Sequence, residues 1–376
     1  MATTVAAKKI DADTHFNLTI DFKNLKDLLS RGQMKEADDM MWRDGERFAD
    51  PRGVRMETQK RQAAGGGAGP QRQSNVGNFE YDPEARIKEM DKMGFNMQVL
   101  ITQTALPQPL KPETEKPLWL RTAMAKLYND EAAALQKKYP DRYIGMATVP
   151  WDDIEGSVKE LERAHKMGLK VVYILGNWMG KNLDAYELFP WWEAVNDMKM
   201  ACIIHGIPQG CGGAIIDHST SYPMVGTERY HRLHIGTYLG FGLEYAVAAT
   251  SLTLGGVVDE FPNLKFLFYE AGAGWLPYAM LGADRSFYIE PQCARTQTPP
   301  SELMKKHFLT AIENLEPVEQ LVEAYGADNF FLGTDFPHPE WQFLPNGTED
   351  VTTRNIKQED KDKILGGNIS KVLGIK

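Results

Sequence analysis

The sequence has little cysteine and no long hydrophobic run, and both absences narrow the class of protein. Its 376 residues include three cysteines, Cys202, Cys211 and Cys293, and no Cys-x-x-Cys pair. An odd number of widely spaced cysteines is typical of reduced thiols, so we expect a cytoplasmic protein. No stretch reaches the roughly 18 apolar residues of a membrane span, and the first residues lack the apolar region of a signal peptide. We therefore expect no membrane partner.

Positive charge is also scarce. The 42 lysines and arginines are outnumbered by 51 aspartates and glutamates, which gives a formal net charge of −9. This balance argues against nucleic acid as a partner, because a protein binds nucleic acid by neutralising its phosphates. We expect a small-molecule substrate, which can still be anionic because a metal ion or an arginine can make a pocket locally positive. The 43% share of hydrophobic residues is enough for a large globular core.

Short apolar runs alternate with longer amphipathic stretches, a pattern that predicts parallel strands joined by helices. The predicted strands are Lys9–His15, Asn96–Thr102, Arg142–Val149, Lys170–Leu175, Met200–His205, Leu264–Glu270, His307–Ile312 and Asn329–Asp335. The predicted helices cover 83–94, 118–138, 152–167, 188–199, 239–261, 275–287, 316–326 and 358–373. Eight β/α units indicate an α/β protein, a (β/α)₈ TIM barrel that forms a single domain over residues 1–376. An open doubly wound sheet is the alternative, but no GxGxxG or GxxxxGK[ST] motif follows an early strand.

Two segments are too long to be simple connections. Residues 16–82 separate the first strand from its helix and contain the glycine-rich run AGGGAGP at 64–70. Residues 206–238 follow the fifth strand and contain three histidines. Long loops at the carboxyl face of a barrel usually cover the active site. We therefore expect a lid or cap insertion at about 16–82 and a second active-site excursion at about 206–238.

Ionisable side chains end several of the predicted strands. Asp13 and His15 are two residues apart on the first strand, so alternation directs both to the same side. His205, Glu270 and Asp335 end the fifth, sixth and eighth strands. One such residue alone is usually structural, but all strand ends of a barrel meet at the face that carries catalytic groups. Imidazole and carboxylate groups suit Zn²⁺, and also Mn²⁺ or Fe²⁺, so their joint placement predicts a metal site.

Four segments that span nearly the whole chain carry a family resemblance: IDADTH, ACIIHG, GGVVDEFPNLKFLFYEAGAGWLPY and FLGTDFPHPE. They resemble the amidohydrolase superfamily, in the amidohydrolase 2 group around aminocarboxymuconate-semialdehyde decarboxylase. The resemblance implies a (β/α)₈ barrel with one divalent metal ion. From the ligand chemistry we expect zinc first, with manganese or iron as alternatives. It also implies that the metal ligands are Asp13, His15, His205 and Asp335. The bridging lysine of binuclear members has no counterpart, since strand four carries only Lys170, at its beginning.

The sixth strand departs from the pattern of this group. It ends in Glu270, where the decarboxylases of the group carry a histidine that assists catalysis. A glutamate can serve as a base or a hydrogen-bond anchor, but it cannot serve as an imidazolium that binds a substrate carboxylate. We therefore expect catalytic roles for Asp335, Glu270 and His234, the last as a substitute imidazole. Expected substrate contacts involve Phe16, His218, Trp275 and His338.

These residues predict a divalent-metal-dependent enzyme that acts on a small aromatic or unsaturated carboxylate or phenol. The ligand set is compatible both with non-oxidative decarboxylation and with hydrolysis by water activated at the metal. An iron- or manganese-dependent oxygenase and a non-catalytic barrel subunit are the further alternatives. The broad helical faces of a barrel also lead us to expect a homo-oligomer, a dimer or larger.

Overall fold

Eight short parallel strands follow one another in sequence order, each paired with the next. In this computed structural model they are β1 (Ile10–His15), β2 (Met97–Ile101), β3 (Tyr143–Ala147), β4 (Val171–Ile174), β5 (Ala201–Ile204), β6 (Lys265–Phe268), β7 (Phe308–Ile312) and β8 (Phe330–Leu332). A parallel bridge between Thr14 and Phe336 joins β1 to the chain just after β8. The predicted (β/α)₈ barrel is confirmed. The structure describes residues 8–16, 18, 22–43, 78–101, 117–206, 225, 235–313, 316–338 and 347–375.

Helices follow the strands and cover the outside of the barrel. They are α1 (Arg31–Arg43), α2 (Pro83–Met93), α3 (Leu118–Lys138), α4 (Ile154–Lys166), α5 (Phe189–Met198), α6 (Ile235–Leu254), α7 (Val257–Glu260), α8 (Trp275–Ile289), α9 (Pro300–His307), α10 (Val318–Tyr325), α11 (Glu349–Thr352), α12 (Gln358–Asp362) and α13 (Asn368–Leu373). Short 3₁₀ turns lie at Phe22–Asp27, Asn78–Glu80, Tyr186–Leu188 and Pro291–Cys293, and a π-helical turn lies at Lys363–Gly367.

The strands are apolar because both of their faces are covered, as expected of a parallel sheet. Every residue of β4, with the sequence VVYI, and of β5, with the sequence ACII, is buried. Outside the sheet, the fully buried rings of Trp191 and Trp192 on α5 pack against Trp151, at centroid distances of 5.9 and 6.4 Å. The core therefore continues from the barrel interior to the layer between the strands and the helices.

Local sequence signals set both ends of α2, the helix that leads into β2. The carboxylate of Asp82 accepts hydrogen bonds from the backbone N–H groups of Glu84 and Ala85, and Pro83 occupies the first turn. Gly94 ends the helix with a φ of 81°, a left-handed conformation that glycine adopts readily. These caps fix where α2 begins and ends.

Several element boundaries differ from the sequence prediction. His307 ends helix α9, which was not predicted, and β7 begins only at Phe308. The predicted helix over 239–261 is two helices, α6 and α7, separated at Gly256, whose φ is 80°. Strands β6 and β8 stop before Glu270 and Asp335, which have left-handed φ angles of 54° and 53°. The apolar runs lead directly into these turns in the sequence, so the pattern does not reveal where each strand ends.

Much of the two long excursions lies outside the described residues. Within 16–82 the structure describes two 3₁₀ turns and helix α1, whereas the glycine-rich run at 64–70 lies outside. Within 206–238 it describes Gly206, Val225 and the first residues of α6. The lid and the second active-site excursion therefore stay predictions. Among the described residues, no helix combines the length and hydropathy needed to cross a bilayer.

Candidate metal centre

Four ionisable side chains converge at the carboxyl end of the barrel. Asp13 and His15 come from β1, His205 follows β5 directly, and Asp335 follows β8. All four are buried, and one ligand atom from each lies within 4.8 Å of the others. The structure thus brings together the four side chains that the sequence placed at separate strand ends.

The polar atoms of this cluster fit a divalent cation. Within the described part of the chain, Oδ1 of Asp13 and Nε2 of His205 have no hydrogen-bond partner, although both are buried. Nε2 of His15 and Oδ1 of Asp335 lie 2.9 Å apart but are not directed for a hydrogen bond. Buried polar atoms without partners cost free energy, and two imidazoles with two carboxylates are good ligands for Mn²⁺, Fe²⁺ or Zn²⁺. The cluster therefore has the composition and the convergence of a metal site.

Main-chain bonds hold β1 beside the segment that follows β8. The backbone N–H of Asp335 donates to the carbonyl of Asp13 at 2.9 Å, and the N–H of His15 donates to the carbonyl of Phe336 at 2.7 Å. Gly333 permits this approach, since a Cβ at that position would lie only 2.7 Å from the Cβ of Asp13. Three of the four converging side chains are therefore positioned by the contact of two chain segments.

The tautomer of His205 is set by its own loop. Its Nδ1 lies 2.6 Å from the carbonyl oxygen of Gly206, so a protonated Nδ1 donates there and the lone pair of Nε2 faces the cluster. The N–H of Gly206 donates to the hydroxyl of Tyr245, which in turn donates to the carbonyl of Tyr269, both at 2.8 Å. Burial lowers the pKa of His205 to about 3, so the ring is neutral, as a metal ligand must be.

The two carboxylates of the cluster have opposite pKa shifts. Burial, together with the negative charge of Asp335, raises the pKa of Asp13 well above its usual range. Burial also opposes ionisation of Asp335, but the neighbouring rings of His15 and His338 outweigh it and hold the pKa of Asp335 below its usual range. In the metal-free protein, ionisation of Asp13 is therefore opposed and ionisation of Asp335 is favoured. A divalent cation favours the ionised form of both groups.

Glu270 approaches the same centre from β6. Its Oε2 lies 3.3 Å from Nε2 of His205, and it joins His15, Asp335 and His338 in a second group whose ligand atoms lie within 4.8 Å. Left-handed backbone costs a non-glycine residue about 1–3 kcal/mol and is concentrated at functional sites. Two of the four such residues in the described chain, Glu270 and Asp335, lie in this cluster.

His338 connects the buried cluster with the surface. Its Nδ1 lies 2.7 Å from Oδ2 of Asp335, and its ring stacks on that of His15 at a centroid distance of 4.1 Å. The side chain is 30% exposed, whereas that of Asp335 is 8% exposed. The expected substrate contact of His338 stays a prediction, and its position beside Asp335 is compatible with it.

The other expected substrate contacts have less support. Phe16 and Trp275 are 2% and 8% exposed, and the indole N–H of Trp275 donates to Oγ1 of Thr310 at 3.1 Å. These are the surroundings of core residues, so a substrate contact by either residue stays a prediction. His218 and His234 lie outside the described residues, and their roles also stay predictions.

Two features of the site were missed by the sequence analysis. Asp11 lies behind the cluster and accepts hydrogen bonds from Thr334 and Gln98, and burial raises its pKa to about 7. Alternation with Asp13 was the available signal for Asp11. Glu313 directly follows β7 and accepts a hydrogen bond at 3.0 Å from a backbone N–H of the β6 loop. Burial raises the pKa of Glu313 to about 7, and its charge contributes to the raised pKa of Asp13.

Comparisons with known proteins agree with this geometry. The model of the Amidohydrolase family matches residues 10–375. The 2-amino-3-carboxymuconate-6-semialdehyde decarboxylase of Dictyostelium discoideum is 29% identical over 300 residues, which cover 78% of this chain and 77% of that protein. The gamma-resorcylate decarboxylase of a Polaromonas species is 26% identical over 301 residues, covering 76% and 85% of the two chains. Among solved structures, the chain resembles 5-carboxyvanillate decarboxylase from Novosphingobium aromaticivorans, complexed with manganese and 4-hydroxy-3-methoxy-5-nitrobenzoic acid. The two structures superpose with a TM-score of 0.71 at 22% identity, over 98% of this chain and 96% of that chain.

The chain therefore belongs to the amidohydrolase family, as its motifs indicated. Membership and the barrel fold are both confirmed, and the protein is an enzyme of this family. The His/Asp cluster supports a divalent metal. The expectation that zinc comes first is not supported, because the solved relative contains manganese.

Proposed function

We propose that this protein is a divalent-metal-dependent decarboxylase of a small aromatic or unsaturated carboxylate that carries a neighbouring oxygen substituent. The convergence of four buried ligand atoms at the carboxyl end of the barrel carries the proposal. The relatives named as decarboxylases support the choice of reaction. In that reaction a proton replaces CO₂ on the same carbon, so no oxidant is consumed.

We assign the metal-binding role to Asp13, His15, His205 and Asp335. Manganese is the proposed ion, because two carboxylates and two imidazoles suit it and the manganese-containing relative shares the fold. When bound, a divalent cation supplies the positive charge that holds the substrate carboxylate and its neighbouring oxygen. This charge is needed because the surrounding acidic groups would otherwise repel an anionic substrate.

Asp335 and His338 are the proposed proton carriers. Their contact of 2.7 Å links a buried carboxylate to a ring that is partly exposed. In the proposed step, the bond between the substrate carbon and its carboxylate breaks, CO₂ leaves, and the electron pair of that bond takes a proton delivered through Asp335. His338 then restores the proton from the solvent side. A positioned proton carrier contributes about 10²–10⁴-fold to a rate.

Glu270 is the proposed anchor for the substrate. Its carboxylate lies 3.3 Å from His205 and belongs to the same group of ligand atoms as His15 and Asp335. There it can accept a hydrogen bond from a hydroxyl group of the substrate, which a histidinium could not do. His234 keeps its expected role as an additional imidazole.

Hydrolysis is the second candidate, and the acidic surroundings favour it. Glu270 and Asp335 belong to a group of side chains whose metal-ligand atoms lie within 4.8 Å of one another. Either carboxylate could take the proton of an attacking water. A lactone or an anilide would then be the substrate class.

A screen for CO₂ release separates these reactions. Protein stripped with chelator and then reconstituted with Mn²⁺ would be incubated with hydroxybenzoates labelled with ¹³C at the carboxyl carbon, and in parallel with lactones and anilides. We expect labelled CO₂ from the reconstituted protein and none from the stripped protein. Hydrolysis of a lactone or anilide without CO₂ release would replace the proposal by the second candidate.

The expected homo-oligomer also has a proposed location. Four side chains of α8 are 63–71% exposed although all are large and apolar or aromatic: Tyr278, Leu281, Tyr288 and Ile289. Their spacing of three, ten and eleven residues from the first places them on one face of the helix. We infer that this face meets the same face of a second copy, since a two-fold interface is self-complementary.

A further inference from the structure

The buried guanidinium of Arg86, on α2, lies behind the candidate ligands and bonds to both segments that carry three of them. Its Nη2 donates to the carbonyl oxygen of His15 at 3.0 Å and to that of Phe336 at 3.2 Å. The guanidinium carbon also lies 4.2 Å from the centroid of the Phe336 ring. His15 is itself a candidate ligand, and Phe336 directly follows Asp335, so one side chain joins β1 to the segment after β8.

A chain of buried side chains supports Arg86 from the other direction. Its Nε donates to Oε1 of Gln98 at 2.8 Å, and the amide of Gln98 donates to Oδ2 of Asp11 at 3.1 Å. Asp11 then accepts from the N–H and the hydroxyl of Thr334, at 3.0 and 2.7 Å. All four side chains are at most 2% exposed. These hydrogen bonds therefore form a continuous network from α2 through β2 and β1 to the segment after β8.

The sheet alone does not fix the geometry of this region. The pairing of β1 with β2 shifts register between Asp11 and Thr14, in the stretch that carries Asp13. Strand β8 has only three residues and ends before Asp335. A register shift disrupts the ladder locally and re-aims nearby side chains, so contacts outside the ladder are needed to hold them in place. Arg86 and its partners supply those contacts.

We propose that Arg86 is a positioning residue that fixes the relative placement of Asp13, His15 and Asp335 and thereby sets the affinity for the divalent cation. This inference rests on the proposed metal site, but not on the proposed reaction. A fork of guanidinium donors is required, because one group must reach the side chain of Gln98 and two carbonyl oxygens at once. A lysine offers a point charge without that fork, so it should restore the role only in part.

The test measures Mn²⁺ binding to the full-length protein by calorimetry, together with the electron paramagnetic resonance spectrum of the bound ion. Loss of an outer partner of metal ligands typically weakens metal affinity about 10–100-fold. We expect at least a tenfold weaker affinity and a changed zero-field splitting in Arg86→Met, with a smaller loss in Arg86→Lys. The control is Arg163→Met, since Arg163 also lies on a crossover helix and also donates to a main-chain carbonyl, that of Lys126. Its affinity and spectrum should equal those of the wild type.

The outcomes are distinguishable. Folded Arg86→Met and Arg86→Lys proteins that bind Mn²⁺ within threefold of the wild-type affinity, with unchanged spectra, would overturn the inference. If Arg86→Met does not fold, the affinity and the spectrum of Arg86→Lys decide the question. A wild-type protein that binds Mn²⁺ but decarboxylates nothing would overturn the proposed reaction and leave the role of Arg86 standing. A wild-type protein that binds no divalent metal would overturn both.

Discussion

Replacement of Asp335 by asparagine should abolish turnover while the barrel stays folded. The carboxylate of Asp335 contacts His15 at 2.9 Å through Oδ1 and His338 at 2.7 Å through Oδ2. An asparagine has nearly the same shape, but it carries no negative charge and cannot carry the proton that the reaction requires. The substitution therefore removes a metal ligand and a proton carrier at once.

The loss of proton transfer alone sets a lower limit to the effect, and the loss of a metal ligand adds to it. A loss of about 10²–10⁴-fold in kcat corresponds to about 3–5.5 kcal/mol, because each tenfold change in rate is about 1.4 kcal/mol. Stability should change far less, because asparagine has nearly the same shape as aspartate and its amide can still contact a neighbouring ring of His15 or His338.

The assay compares kcat, bound manganese and the melting temperature of metal-free protein for the wild type and Asp335→Asn. Asp328→Asn is the matched control, because Asp328 lies at the opposite end of β8, and its side chain is 66% exposed. We expect the control to be unchanged in all three measurements. Activity of Asp335→Asn within threefold of the wild type would refute the role assigned to Asp335.

Three further predictions test the surroundings of the site and the fold. Gly333→Ala should weaken Mn²⁺ binding and cost about 1–3 kcal/mol of stability, because its Cβ would lie 2.7 Å from that of Asp13. The control Gly282→Ala, whose Cβ would have nothing within 4 Å, should be neutral or stabilising in urea unfolding. Equal effects of the two substitutions would contradict this prediction. Burial lowers the pKa of His307 from 6.5 to about 4, so the unfolded chain binds more protons at acid pH. Neutral His307 therefore contributes roughly 3 kcal/mol of stability, which is present above pH 6.5 and lost as the pH falls toward 4. Between these pH values, the free energy of unfolding of His307→Asn should decline less steeply than that of the wild type. Tyr278→Glu, at an exposed position of α8, should shift the protein to monomer in sedimentation velocity, and a wild type that is itself monomeric would end the oligomer proposal.

Much of the fold was predictable because the signal is local. Short apolar runs at regular intervals require a parallel sheet with crossover helices, and the eight strands occur where those runs lie. The rule that strand ends share one face was then sufficient to group residues more than 300 positions apart, Asp13 and Asp335. The structure brings these two together with His15 and His205.

Other features of the site were not predictable, because they depend on contacts that leave no local pattern. Nothing in the sequence distinguishes Arg86 from an ordinary helical arginine, yet it donates hydrogen bonds to carbonyl groups 71 and 250 residues away in sequence. The left-handed φ angles at Glu270 and Asp335 fall on non-glycine residues, so the sequence does not mark them. Zinc was expected first from ligand chemistry alone, which does not distinguish it from manganese.

The most direct test of the central claim is anomalous diffraction from crystals of the manganese-reconstituted protein, measured at the manganese absorption edge. The account predicts one strong peak per chain, within coordination distance of Asp13, His15, His205 and Asp335. A peak elsewhere, or no peak in crystals of protein that was given stoichiometric Mn²⁺, would contradict it.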